Sequence, residues 1–584
     1  MFKKWSLVLS LVLAVSLLVS ACSGNNNGNN APAANTGTNQ EAGTEQTEAP
    51  AEAVEGGIGL IKASDPSKNQ QIALDRTDTL IVGMTEPQGL FNPIFGQTVY
   101  DRYVYEIVFD SLVEYGLDAS IENSLADSVT VSEDGLTYTY KIKEGVTYSD
   151  GTPVKASDYL FVMKLLHDPA YDGPSDIHSA HIVGGQEYYD GKSDTISGIN
   201  IISDTEFSVT VSEYNALTPM SLGGVYLLPE HYYGAGYKHG DLQSIKALLD
   251  KPLGSGQYIL TDYKPGQEVV FVANENYFKG APKVPNLIYK VTSSVTDIAM
   301  LQSGETDMND FTISADNVET LVELGYLDVN VHLNNGYGYV AFNMENPKFS
   351  DKKVRQALTY GLNRADVVEG IYGPYAEVIN IPQSKESWSA TTEGINTYDF
   401  DTEKAKALLD EAGWVVGSDG IREKDGVKLE INFSATADNP VIDALIPIMT
   451  LNYEELGVKL IAETLEFNAI MEKKDRGDYE MFFAAWGLTP DPDNTIFITG
   501  GAQNDFGYSN PRVDELMAAG KKEIDIEKRK PIYHEMYQLI NDDAPFIFLY
   551  QRTNGTASNA RVDNLIYSPY KYFSASLYQT TLQQ

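Results

Sequence analysis

A chain of 584 residues is too long for one core, which usually stops growing near roughly 250–300 residues, and has room for about three or four lobes. Its composition, 42% hydrophobic and 21% charged, suits a globular chain in water and excludes a multispanning membrane protein or a wholly disordered one. With 82 Asp+Glu against 42 Lys+Arg, the net charge of −40 repels phosphate backbones, so no nucleic-acid partner is expected.

The chain opens with Lys3 and Lys4 ahead of an apolar run from Leu7 to Val19, followed by the small residues Ser20 and Ala21. That run is shorter than the about 20 residues a bilayer span needs and has the layout of a secretion signal, residues 1–21. The chain's only cysteine is Cys22, so no intramolecular disulfide can form, and a lone cysteine in an exported chain asks for another purpose. Val19-Ser20-Ala21-Cys22 resembles a bacterial lipobox. The resemblance implies cleavage before Cys22, a diacylglycerol on its sulfur and a place at the extracellular face of the cell membrane. Two acyl chains hold a protein there stably where one is marginal. Residues 22–71 follow, rich at first in Asn, Gly, Thr, Ala, Glu and Pro with almost nothing to bury, and are predicted to be a disordered tether.

Globular texture is expected from about Leu74–Thr79. Thr79–Met84 is a β-rich run closed by Pro87, Gly89 and Pro93, hence strand then loop. Tyr103, Ile107, Val108 and Leu112 have helical spacing within Tyr103–Val113. Tyr138–Ile142 alternates as a strand, Ser157 is placed to cap a helix over Asp158–His167, and strands return near Phe207–Val211 and Gln267–Ala273. The clearest helix is Asp401–Ala412: Asp401 caps it, Ala405, Leu408, Leu409 and Ala412 make one stripe, Lys406 and Asp410 form an i,i+4 pair, and Gly413 closes it. A helix over Ile526–Asn541 precedes Ala544-Pro545 and an apolar strand, Phe546–Tyr550. Helices and strands alternate without a fixed repeat, which favours an α/β protein of several mixed sheets.

No catalytic constellation stands out. Among the seven histidines only His178 and His181 are close, without an H-E-x-x-H pattern, so no metal site and no cofactor are expected. Gly254-Ser255-Gly256 and Gly234-Ala235-Gly236 match no Walker A, G-x-S-x-G or G-x-G-x-x-G pattern and read as turns. With 82 acids, paired carboxylates arise by chance. Tyrosine is the anomaly, 37 against 4 tryptophans. Individual tyrosines are mostly core residues, but the excess suits surfaces both apolar and hydrogen-bonding, as ligand clefts are.

Several segments, in order over roughly residues 75–575, together resemble the extracellular solute-binding proteins of family 5, the oligopeptide/dipeptide-binding type that serves ABC importers. They include Glu86–Pro93, Leu125-Ala126-Asp127 with Asp134–Tyr138, Ser149–Pro153, Gly254–Tyr258, Leu301–Asp307, Phe342-Asn343-Met344, Ala405–Trp414, Trp486–Phe497 and Pro545–Tyr550. The match is specific through its length. The resemblance implies a periplasmic-binding-protein-like two-lobe clamp (type II, cluster C). Lobe I would comprise 72–98, 227–335 and 546–584, with an inserted subdomain at 99–226, and lobe II would be 336–545.

In such a clamp a peptide binds as an added β-strand between the lobes. By position, Glu86, Pro87 and Gln88 would contact its backbone from lobe I, and Ala485, Trp486, Gly487 and Leu488 from lobe II. Tyr337 and Tyr339 would wall the cleft at the crossover. Short-peptide members carry an Asp three residues after the tryptophan, for the ligand's α-amino group. Here that place holds Thr489, Asp491 is the next acid, and Phe483 stands where some members place an Arg. The expected partners are a peptide ligand, ABC permease subunits and the membrane through Cys22, for a monomer that is no enzyme. The same receptor role for an oligosaccharide or a metal chelate stays open, as does an exported lipoprotein hydrolase.

Overall fold

The computed structural model describes residues 58–583 except 438, 493, 494 and 502. The signal segment, Cys22 and most of the expected tether lie outside the described residues. The first described element is strand β1 (Gly59–Ile61). Then come β2 (Thr79–Met84), helix α1 (Val99–Val108), β3 (Ala126–Val131), β4 (Thr137–Ile142), α2 (Ala156–Leu166), β5 (Ile199–Ser203) and β6 (Glu206–Thr210). The chain continues through β7 (Tyr258–Lys264), β8 (Glu268–Ala273), β9 (Asn286–Val291), β10 (Met308–Phe311) and β11 (Leu327–Phe342). Next are α3 (Thr402–Glu411), β12 (Glu430–Thr436), α4 (Pro440–Glu455), β13 (Lys459–Leu465), β14 (Met481–Gly487), α5 (Pro511–Lys522), α6 (Ile526–Asp543) and β15 (Phe546–Asn559).

Two strands far longer than the rest organise the molecule: β11 with 16 residues and β15 with 14. They pair antiparallel from Leu327↔Asn559 to Ala341↔Phe546, with the register interrupted between Leu333 and Tyr337. At one end β15 continues into β10, β2, β9, β8 and β7; at the other β11 continues into β14, β12 and β13. One mixed sheet therefore runs through both lobes, and β11 and β15 are the strands that cross between them. A separate four-stranded sheet, β3-β4-β6-β5, belongs to the inserted segment. Its tyrosines Tyr138, Tyr140 and Tyr159 join the same buried cluster as Leu80, Val82, Leu287 and Tyr289 of lobe I. Lobe II buries both faces of its sheet. Val340 and Phe342 point into one cluster, Tyr337, Tyr339 and Ala341 into the other, as period-2 alternation requires.

Several expectations need correction. Residues 59–71 belong to the fold rather than to the tether: β1 pairs with Val329–Val331, the Ala63 N–H donates to Asp328 at 2.9 Å, and the Asp65 N–H donates to the Gly325 carbonyl at 2.7 Å. Phe546–Tyr550, assigned from sequence to lobe I, pack in the lobe II clusters, so the crossing lies inside β15. The helix expected over Tyr103–Val113 runs over Val99–Val108, capped by Thr98, whose hydroxyl accepts from the Asp101 N–H. Lys155, not Ser157, is the cap position of α2, where the Asp158 carboxylate accepts the Lys155 N–H at 2.8 Å. Asp401 does cap α3 by accepting from the Lys404 N–H, and Gly413 follows it in the left-handed region. Lys406 pairs with Glu403 and Glu455, however, while Asp410 meets Arg422. Gly254 and Gly256 are more than turn residues: a Cβ on either would lie 2.1 and 2.4 Å from the Val108 and Ile107 carbonyl oxygens at the end of α1.

Candidate functional site

The site begins with a strand that loses its neighbour. β14 pairs with β11 from Gly336↔Gly487 to Phe342↔Met481, but with β12 only at Phe433↔Met481 and Ser434↔Phe482. Beyond Phe482, no strand among the described residues covers its second edge. The Leu488 N–H donates to the Asn335 carbonyl at 2.9 Å, and the Asn335 side-chain amide returns a bond to the Leu488 carbonyl at 2.9 Å. Backbone groups of an antiparallel strand alternate in direction. Those of Leu488 and Trp486 therefore face β11, and those of Ala485 and Gly487 face the open edge. Both Ala485 and Gly487 are exposed.

Leu488 and Pro490 lead from this edge into a cavity of about 820 Å³ between the lobes. Its lobe I wall is Tyr100 and Tyr103 of α1 with the segment Asp310–Ile313, its hinge wall is Arg552–Thr556 of β15, and the loop Tyr567–Phe573 closes one side. The volume falls within the about 300–1,000 Å³ of small-ligand sites. Thr85 lines a recess of about 200 Å³ that shares Tyr100, Tyr103 and Asp310 with this cavity. The lobes also touch directly: the Trp388 N–H donates to the Asp118 carbonyl at 3.3 Å, and the Ala216 N–H to the Lys521 carbonyl at 2.6 Å.

Most charges in the cavity are matched locally. Arg102 pairs with Glu106 and lies 5.6 Å from the centre of the Tyr572 ring. Lys571 stands 3.4 Å from Glu114 and 3.6 Å from Glu122. His332 stacks on Tyr567 with ring centres 5.4 Å apart, and burial pushes its pKa down to about 4, so it is neutral at pH 7. Two groups stand apart. Asp310 opens onto the cavity and accepts the Thr556 hydroxyl at 2.7 Å; desolvation by the surrounding protein raises its pKa, against that bond. Arg552 is exposed and has no ion-pair partner among the described residues.

The sequence-predicted residues divide. Ala485, Trp486, Gly487 and Leu488 lie on the open-edged strand and its continuation, with Trp486 half-buried against the lobe II core. Glu86 and Gln88 are exposed and Pro87 is buried, but none of the three lines the cavity. Their loop is held by Asp101, whose carboxylate accepts the Gly89 and Leu90 N–H groups at 3.0 and 3.1 Å, and by Tyr263, whose hydroxyl donates to the Pro87 carbonyl at 3.1 Å. Tyr337 and Tyr339 do not wall the cleft. They are 1% and 3% exposed, packed within the lobe II core, where Tyr339 stacks on Phe546 with ring centres 4.5 Å apart. Asp491 is committed to Arg529 through two contacts of 2.8 and 3.0 Å. It faces the cavity residue Tyr115, whose pKa is pushed up to about 12 by desolvation first and by the Asp491 charge second. Asp493 lies outside the described residues. Sequence reasoning missed Tyr100, Tyr103, Asp310, Arg552 and the tyrosine-rich tail Tyr567–Phe573; only the tyrosine excess hinted at them.

Comparison with known proteins agrees with this architecture. The oligopeptide-binding protein AppA of Bacillus subtilis (strain 168) is 27% identical over 574 residues, covering 96% of each chain. The heme-binding protein A of Haemophilus influenzae is 28% identical over 489 residues, 80% of this chain and 85% of that one. The solved structure of Bacillus subtilis AppA in complex with a nonapeptide aligns with a TM-score of 0.63 at 26% identity, over 87% of this chain and 99% of that one. The fold is that of the two-lobe clamps of this group. The family model for the middle region of bacterial extracellular solute-binding proteins, family 5, matches residues 120–507, and with more than half of its length inside that match the chain belongs to this family of solute-binding receptors.

Proposed function

We propose that this chain is the extracellular, lipid-anchored receptor of an ABC importer, which captures oligopeptides between its lobes and delivers them to the permease without transforming them. The observation that carries the reading is the unpaired edge of β14. Ala485 and Gly487 aim backbone donors and acceptors at empty space beside an interlobe cavity, which is what an added peptide strand requires. Main-chain pairing is common to every peptide, so it accounts for capture across many side chains. A ligand that touches both walls is bound fully only when the lobes are together. It shifts the population toward that state by hinging at the crossing segments of β11 and β15. The permease would read the closed form, and Cys22 would hold the receptor, a monomer, at the outer face of the membrane.

A second reading, a non-peptide solute such as a metal chelate, is favoured by Thr489 at the place of the usual acid and by the similarity to a heme-binding protein. Native mass spectrometry of the gently purified full chain separates the two. A ladder of co-purified peptide masses supports the proposal; a single non-peptide mass, with no retention of added peptides, refutes it.

A further inference from the structure

Most charged side chains lining the interlobe cavity are spent on one another, and Asp310 and Arg552 are the exceptions. Asp310 keeps a hydroxyl bond from Thr556 but no cation, and Arg552 keeps no anion among the described residues. Resting on the peptide reading above, we propose that these two residues give the cleft a polarity: Asp310 takes the ligand's cationic end and Arg552 its anionic end, so that the receptor selects peptides whose two termini are free.

The sheet sets the spacing. Asp310 pairs with Thr556 across β10 and β15, which places its carboxylate beside that position. Arg552 and Thr556 are four residues apart on one strand, so their side chains share a face about 13 Å apart at roughly 3.3 Å per residue. About four residues of extended ligand span the same length. The residues between contribute no opposing charge: Thr553, Asn554 and Gly555 are neutral, and His332, which also lines the cavity, is neutral at pH 7. Arg102 and Lys571 line the cavity too, but are occupied by Glu106 and by Glu114 with Glu122. A guanidinium suits a terminal carboxylate because it donates two parallel hydrogen bonds. Asp310 is pre-oriented by Thr556 and already pays part of its desolvation in the free protein, so an ammonium group would relieve it. The usual acid after the tryptophan is Thr489 here, which leaves the ligand's positive end to be met from lobe I instead.

The test uses the purified full chain and three matched synthetic peptide pools of three to nine residues: free, N-acetylated and C-amidated. Retained species are weighed by native mass spectrometry, and the best-retained free peptide is titrated calorimetrically together with its capped forms. The free pool should be retained with a preference for about three to five residues, and either cap should weaken binding about tenfold or more. Arg552→Ala should bind free and amidated forms alike, while Arg552→Lys restores part of the difference. Asp310→Asn, which preserves the contact with Thr556, should bind free and acetylated forms alike. If Asp310→Asn fails to fold, the Arg552 variants with the amidated pool decide the matter. Capped peptides binding the wild type as tightly as free ones would overturn this inference and leave the peptide reading standing. Retention of no peptide from any pool would overturn both.

Discussion

The unpaired edge of β14 makes a prediction that separates ligand binding from folding within four residues. Proline deletes the backbone N–H. At Ala485 that group faces the open edge and bonds nothing in the free protein, and strand edges are where proline is tolerated. Ala485→Pro should therefore leave the fold nearly as stable as the wild type, with a small shift in Tm. A bound peptide would lose one main-chain hydrogen bond and leave its carbonyl unsatisfied, at a cost of about 1–3 kcal/mol, or about fivefold to a hundredfold in Kd. At Leu488 the same substitution removes the N–H that donates to the Asn335 carbonyl at 2.9 Å. Leu488→Pro should lower Tm, because the loss falls on the protein's own ladder. Thermal denaturation and calorimetric titration with one peptide on both variants read the two effects separately. Wild-type affinity in a folded Ala485→Pro variant would refute strand addition at this edge.

Four other perturbations bear on the same picture. Trp486→Ala should weaken peptide affinity by at least about 1 kcal/mol and also lower Tm, because the half-buried ring packs on the lobe II core as well as facing the cleft. Asp491→Ala strands the Arg529 guanidinium, which is 5% exposed in its side chain, and should cost about 3–5 kcal/mol in denaturant unfolding; Asp491→Ala/Arg529→Met should recover part of that loss. His167 and His332 are both pushed down to about 4 by burial. Their contribution to stability is fully present above about pH 6.5 and is lost as pH falls toward 4, so His167→Gln should flatten the acid side of a stability–pH curve. Asp110, fully buried and pushed up to about 6 by desolvation, works in the opposite sense: its contribution is present below about pH 4 and lost as pH rises through 6, and Asp110→Asn should remove that slope. Cys22→Ala should abolish membrane retention or leave the precursor uncleaved, read by fractionation and intact mass.

What the sequence made legible follows from how far apart the cooperating residues lie. The α3 helix could be read because its signals are local: Asp401 caps Lys404 three residues on, and Gly413 follows the last turn. β1 could not, since three residues acquire strand character only by pairing with Val329–Val331, some 270 positions away. Gly336–Tyr339 offered an alternating pattern, and alternation alone suggests one wet face. β11, however, is the inner strand of a sheet covered on both sides. A Cβ on Gly338 would lie 2.5 Å from the Tyr550 ring, while Tyr337 and Tyr339 fill the opposite face. The pattern thus marks large side chains against small ones within a core, and the tyrosines read as cleft walls are interior. The crossover of the chain between lobes was placed near the right residues, because the resemblance extends through Phe342-Asn343-Met344, but the cavity beside it was not. Its uncommitted charges, Asp310 and Arg552, are 242 positions apart and become neighbours only when β10 pairs with β15 at Asp310↔Thr556. A site whose main-chain frame is shared across a family and whose charges come from distant strands is legible in outline and silent about its guest. The chemistry that tells one solute from another therefore has to be read from the cavity walls.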